Sequence, residues 1–272
     1  MITAKSCGPA PRAGHPNPVA FDWGGGLLNA IGLTNPGAEA EAKLLAETRQ
    51  QLQPLGVPLI ASIFGGLVEE FAQVAQIIDA AQPDLIEVNI SCPNVKEGGV
   101  QFGNYPDMSA RVVEACRKAT SKPIVTKLSP NQTDIQENAR RCIEAGSDAL
   151  AVINTISGMA IDVKTRRPVI GNVQGGVSGP AIKPIALLKV HQVYQVARPH
   201  GVPIIGQGGI CSAEDALEFI IAGAATVGVG TALFYDPLVC RKINAGIADY
   251  LAAGGFASVA DLTGTLDTSR PA

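Results

Sequence analysis

The feature that most constrains the fold is a joint that recurs four times: a glycine ending a helical stretch, followed within three residues by a short apolar run. Gly56-Val-Pro precedes LIASIFG, Gly146-Ser-Asp precedes ALAVINT, Gly201-Val-Pro precedes IIGQGG, and Gly223-Ala-Ala precedes TVGVGTAL. A glycine just past the last helical turn takes the left-handed conformation without steric cost, and an unbroken apolar run suits a strand covered on both faces. Helical periodicity fits 38–53, 68–81, 107–120, 133–145, 181–197, 212–222 and 237–253. Thr133 with Gln136, and Ser212 with Asp215, have capping-box spacing at two of the helix starts. The strands read as ITAKS, PLIASIF, DLIEVNIS, PIVTKLS, ALAVINT, PIIGQG and TVGVGTAL. Strands alternating with helices predict an α/β fold with a parallel sheet, and a TIM-type (β/α)8 barrel is the expected architecture. That barrel has eight strands, so the first strand is expected to be missing, and the chain opens inside a strand. No linker or shift in composition divides it, so residues 1–272 are read as a single domain.

Composition removes several classes of function. Lys and Arg total 21 against 24 Asp and Glu, a net charge of -3, so there is no basic excess to hold nucleic acid or an anionic membrane. Cys7, Cys92, Cys116, Cys142, Cys211 and Cys240 form no CxxC pair and no zinc-ligand spacing. Neither disulfides nor a metal site is expected. Glycine and threonine interrupt the uncharged stretch 219–235, which reads as helix end, loop and strand and not as a membrane span. The opening Met-Ile-Thr-Ala-Lys resembles no signal or transit peptide, so a cytoplasmic location is expected.

Three features carry chemistry. Lys5 and Lys127 stand near the C-terminal ends of predicted strands, where a buried ammonium needs an anion or acceptors; one reading of Lys127 is a structural pair with Glu87. Asn89-Ile-Ser-Cys-Pro-Asn94 places two amides and a thiol directly after a strand. Gly208-Gly209-Ile210 and Gly228-Val-Gly230-Thr231 end the last two strands, where backbone amides can cradle a phosphate. Two long insertions, 7–37 and 156–180, also follow strands and are candidates for the active face; the second contains two short β-like pieces, AIDVKT and PVIGNV.

As a set, these pieces resemble class 1 dihydroorotate dehydrogenase catalytic subunits. The resemblance rests on Lys5-Ser6, NAIGL with NPG (29–37), IEVNISCPNVKEGG (86–99), TKLSP (126–130), VINTISGMAID (152–162), GGVSGPAIKP (175–184), IIGQGGI (204–210) and VGTAL (229–233). It runs in order over essentially the whole chain, and the NVKEGG and RRPVIGNVQGGVSGPAIKP pieces are most similar to the NAD-linked 1B subtype. It implies an FMN enzyme of pyrimidine (UMP) biosynthesis that converts dihydroorotate to orotate. Cys92 would be the base that takes the C5 proton. Lys5, Asn29, Ala30, Ile31, Gly32, Leu33, Asn89, Asn94, Asn154 and Thr155 would bind the substrate. Lys5, Ser6, Ser62, Asn89, Lys127, Ile153, Gly179, Gly208, Gly209, Gly230 and Thr231 would bind FMN. Ser62 departs from the Asn that relatives often carry there, and the family's first strand has no counterpart. The chain has neither cluster-type cysteine spacing nor a GxGxxG loop. The resemblance therefore implies a partner subunit carrying FAD and an iron–sulfur cluster, which passes electrons to NAD, together with a homodimer. A dihydropyrimidine dehydrogenase-like enzyme and a non-catalytic truncated barrel are the alternative readings.

Overall fold

In the computed structural model, residues 1–91, 96–97 and 100–269 are described. Seven parallel strands form one sheet in chain order: β1 (Ile2–Thr3), β2 (Leu59–Ile63), β3 (Leu85–Asn89), β4 (Ile124–Lys127), β5 (Ala149–Val152), β6 (Ile204–Gln207) and β7 (Thr226–Gly228). All seven expected strands are present, each next to its sequence neighbour, as right-handed helical crossovers require. The crossovers are α1 (Ala38–Leu52), α2 (Val68–Asp79), α3 (Pro106–Ala119), α4 (Ile135–Glu144), α5 (Lys183–Ala197) and α6 (Ala213–Ala222), and α7 (Val239–Gly254) follows β7. This is the TIM-type arrangement. Two of the glycine joints, Gly56 and Gly201, close short 3-10 turns in the left-handed conformation.

Alternation along each strand separates two interiors. Leu59, Ala61 and Ile63 of β2, Ile86 and Val88 of β3, and Leu150 and Val152 of β5 join Phe71, Val74, Val113 and Val190 of the helices in the main core. The intervening residues face the other way. Leu85, Val125, Ala149, Ala151 and Ile205 form a small cluster of their own, and Ser62, Glu87, Asn89 and Lys127 come next along the strands. The helix-facing side is apolar apart from the buried Thr126, which bonds Ser147, while the other turns polar toward the strands' C-terminal ends. That is where barrels carry their chemistry.

Among the described residues, no strand pairs with the outer edge of β1 or of β7. Both edges nevertheless line a single cavity of about 1250 Å³, which also takes in Ile220, Ile247, Leu251 and Val259. The sheet therefore curls round toward closure and stays open between β1 and β7.

The insertions do more than decorate the rim. Leu27–Asn29 pairs antiparallel with both Ala20–Asp22 and Gly175–Ser178, and Gly175–Ser178 also pairs with Ile156–Gly158. Residues from both insertions thus build one four-stranded antiparallel sheet. Of the two expected β-like pieces, only short parts pair, Ile161–Asp162 with Arg167–Pro168. At α4 Asp134 is the cap and accepts from the Glu137 amide; the expected Thr133/Gln136 box does not form. A carboxylate one residue on supplies the same bond with added charge attraction to the helix N-terminus. Ser212 and Asp215 cap α6 as expected.

Candidate active site

The C-terminal ends of the strands and the loops after them enclose the cavity. Its wall includes Lys5 and Ser6 after β1, Lys127 at the end of β4, Ile153, Asn154 and Thr155 after β5, Gly208 and Gly209 after β6, Gly230 and Thr231 after β7, and Gly179 after the antiparallel sheet. Nine of the eleven residues expected to hold FMN therefore line one space. The other two, Ser62 and Asn89, stand just behind it and are tied to it by hydrogen bonds.

Those bonds form a continuous chain. Ser62 Oγ donates to Glu87 Oε1 at 2.7 Å and lies 2.7 Å from Ser6 Oγ, which accepts from Asn89 Nδ2 at 3.2 Å. Asn89 Oδ1 accepts from both the Ser91 hydroxyl and its amide, and Asn154 Nδ2 donates to Ser91 Oγ at 2.6 Å. Lys127 Nζ sits 3.8 Å from Glu87 Oε1, whose side chain is 5% exposed. The structural pair with Glu87 therefore exists, and Lys127 lines the cavity as well. Near β1, burial raises the Glu41 carboxyl above the usual range, against the pull of the Lys5 ammonium.

The substrate-side residues divide into two groups. Asn154 Oδ1 accepts from the Thr155 amide at 2.7 Å, and Asn131 donates to the Thr155 carbonyl at 3.0 Å, fixing this loop at the cavity. Asn29 is not in the cavity wall. Its Nδ2 donates to the Gly176 carbonyl, and Gly176 is packed so close to Thr155 that a Cβ there would collide with the hydroxyl. Asn29 thus reaches the site's edge through Gly176. Ala30, Ile31, Gly32 and Leu33 lie farther along that loop; His15 binds the Ala30 and Ile31 carbonyls, and Leu33 holds a φ of 58°. Cys92 and Asn94 lie outside the described residues.

The phosphate-type end is built from backbone that requires glycine. Gly209 has a φ of 88°, and a Cβ there would approach the Gly179 carbonyl at 2.7 Å. Only glycine allows the turns after β6 and after Gly175–Ser178 to meet. Thr231 donates to Ser178 Oγ at 2.8 Å, adding the turn after β7 to the same corner. Three glycine-bearing turns thus converge with amides and hydroxyls, a cradle suited to a phosphate group. Sequence reasoning missed Gln207 and Ser178, which also line the cavity. A polar residue in the otherwise apolar run PIIGQG was the available signal for Gln207.

Three of the other thiols are packed away from the cavity, whereas Cys211 and Cys240 are half-buried and line it. Cys7, Cys116 and Cys142 are buried free thiols. Burial pushes Cys7 to about 12, helped by the Glu41 charge, and pushes Cys116 to about 12. Cys142 is displaced upward by burial as well. At pH 8 these three resist a thiol-specific disulfide reagent in the folded protein and react fully in denaturant, because a thiolate is the reacting species. Labelling followed by peptide mass spectrometry checks this.

A family model described as "Dihydroorotate dehydrogenase" matches residues 1–251. The chain belongs to the dihydroorotate dehydrogenase family. It is similar to the "Dihydroorotate dehydrogenase B (NAD(+)), catalytic subunit" of Geotalea daltonii, 49% identical over 267 residues that cover 97% of this chain and 85% of the relative. The proteins of the same description from Trichlorobacter lovleyi and Pelobacter propionicus are 52% and 51% identical, each covering 94% of this chain and 83% of the relative. Among the described residues, no helix is long and apolar enough to cross a membrane.

Proposed function

We propose that this chain, acting as one barrel domain, is the catalytic subunit of an NAD-linked dihydroorotate dehydrogenase that oxidises dihydroorotate to orotate with bound FMN. The observation that carries this reading is the single cavity that gathers Lys5, Ser6, Lys127, Asn154 and Thr155 with the three glycine turns. The relatives described as NAD(+)-linked catalytic subunits support it.

Bound FMN supplies the acceptor for the hydride that leaves C6 of dihydroorotate. The protein's own residues do the rest. Gly179, Gly208, Gly209, Gly230 and Thr231 hold the phosphate end. Lys127 presents a cation where negative charge develops, which is worth most in a site that excludes water. Asn154 and Thr155, joined by Asn29, Asn89 and Asn94, orient the substrate ring and its carboxylate through amides and a hydroxyl. Cys92 takes the C5 proton onto sulfur, so that loss of C5–H and C6–H leaves the C5–C6 double bond of orotate. Positioned bases of this kind contribute about 10²–10⁴-fold. A partner subunit carrying FAD and an iron–sulfur cluster receives the electrons and delivers them to NAD, and two copies of the catalytic chain associate as a homodimer.

Supplying dihydroorotate and dihydrouracil separately, with an artificial electron acceptor, tests the substrate. The expected result is turnover of dihydroorotate alone. Turnover of dihydrouracil in its place would move the chain to a dihydropyrimidine dehydrogenase activity.

A further inference from the structure

Behind the phosphate-type corner lies an ion pair whose two residues are not part of the cavity wall. Lys183 is the first residue of α5 and Asp215 lies in the first turn of α6. Lys183 Nζ donates to Asp215 Oδ1 at 2.6 Å and to Glu218 Oε2 at 2.9 Å, with the Lys183 and Asp215 side chains 25% and 16% exposed. The second Asp215 oxygen accepts from the Cys211 amide at 2.8 Å and the Ser212 amide at 3.0 Å. One carboxylate therefore grips the turn that follows Gly208 and Gly209, while its other oxygen reaches the helix that follows Gly179. Backbone packing repeats the tie, because a Cβ at Gly209 would meet the Lys183 Cβ at 3.0 Å. Burial opposes ionisation of Asp215, but the Lys183 bond and the amides outweigh it and hold the carboxyl below its usual range. The Asp215 and Glu218 carboxylates hold Lys183 above its usual range.

We propose that the Lys183–Asp215 pair is a positioning device that presets the two glycine turns for a phosphate monoester, and that neither residue is itself a phosphate ligand. The inference rests on the FMN reading of the cavity. The Lys183 ammonium is already committed to two carboxylates. The Asp215 carboxylate occupies the Cys211 and Ser212 amides at the start of α6, so these are not offered to an anion. What remains for the phosphate is the backbone of Gly208, Gly209, Gly179 and Gly230, whose spacing the ion pair fixes. Ordering these turns before binding lowers the entropy cost that the ligand would otherwise bear.

The sign of one substitution separates positioning from direct contact. If Lys183 met the phosphate itself, removing the competing Asp215 charge would tighten binding; if the pair sets the turns, Asp215→Asn weakens it. The experiment measures FMN and riboflavin affinity in the parent, Lys183→Met, Lys183→Arg and Asp215→Asn, by quenching of flavin fluorescence. The expected result is FMN binding weakened roughly tenfold or more in Lys183→Met and Asp215→Asn, with riboflavin, which lacks the phosphate, changed less than about twofold. Lys183→Arg keeps the charge-assisted pair and restores FMN binding. Equal weakening of both flavins, unchanged FMN binding, or tighter FMN binding in Asp215→Asn would overturn the inference while leaving the proposed function standing. A parent that takes up neither flavin would overturn the proposed function and this inference with it.

Discussion

Replacing Cys92 by Ala slows reduction of the bound flavin by dihydroorotate about 10²-fold or more and leaves FMN affinity nearly unchanged. The thiol belongs to the resemblance's NISCPN piece. Ser91, the residue before it, is buried and bonded to Asn89 and Asn154, between β3 and the loop after β5. Loss of a base removes a transition-state interaction without touching the phosphate corner, which is why rate and affinity separate. Cys116→Ala and Cys142→Ala serve as controls: both thiols are packed in the helical core, so they cost stability and spare the rate. Stopped-flow absorbance at the flavin band reads the effect. Equal rates in the parent and Cys92→Ala would remove the thiol from the mechanism.

A polypeptide of residues 1–272 by itself associates in solution and melts early. β1 and β7 each present an outer edge to which no described strand is paired, and barrels escape edge-to-edge association only by closing. Few charges guard these edges. Ile2 is 49% exposed, and Thr226, Val227 and Gly228 form the opposite edge. The apolar groove between them, with Ile220, Ile247 and Leu251 in its wall, adds hydrophobic surface that association would cover. Fusing a strand-length apolar segment ahead of Met1 is expected to raise the melting temperature by about 10 °C or more, since each kcal/mol moves a protein of this size by roughly 2–4 °C. Light scattering and calorimetry on the two forms check this. Equal size and melting temperature would mean that the open edges carry no liability.

Most of the barrel was legible because its signals are local. The glycine joints and the apolar runs placed all seven strands, and helical periodicity placed α1 to α7 to within about two residues at their starts and ends. The antiparallel sheet was not legible. Leu27–Asn29 and Gly175–Ser178 are separated by about half the chain, and glycine-rich strands such as GGVS carry almost no alternation to read. The site was legible where a residue type is unusual for its element, as with Lys127 in a buried strand or paired glycines at a strand end. Asn29 was read as a substrate residue from the resemblance alone; that its side-chain amide would bond the Gly176 carbonyl at the site's edge had no local signal. The Lys183–Asp215 tie was invisible, since nothing in either helix's own pattern marks a charge that reaches across to its neighbour.

The central claim is that the cavity holds FMN and hands it electrons from dihydroorotate. The direct measurement is the visible spectrum of the purified protein equilibrated with FMN, recorded before and after anaerobic addition of dihydroorotate. The account predicts a stoichiometric flavin band that bleaches on addition and returns with air. A folded protein that retains no flavin, or a bound flavin that dihydroorotate leaves oxidised, would contradict it.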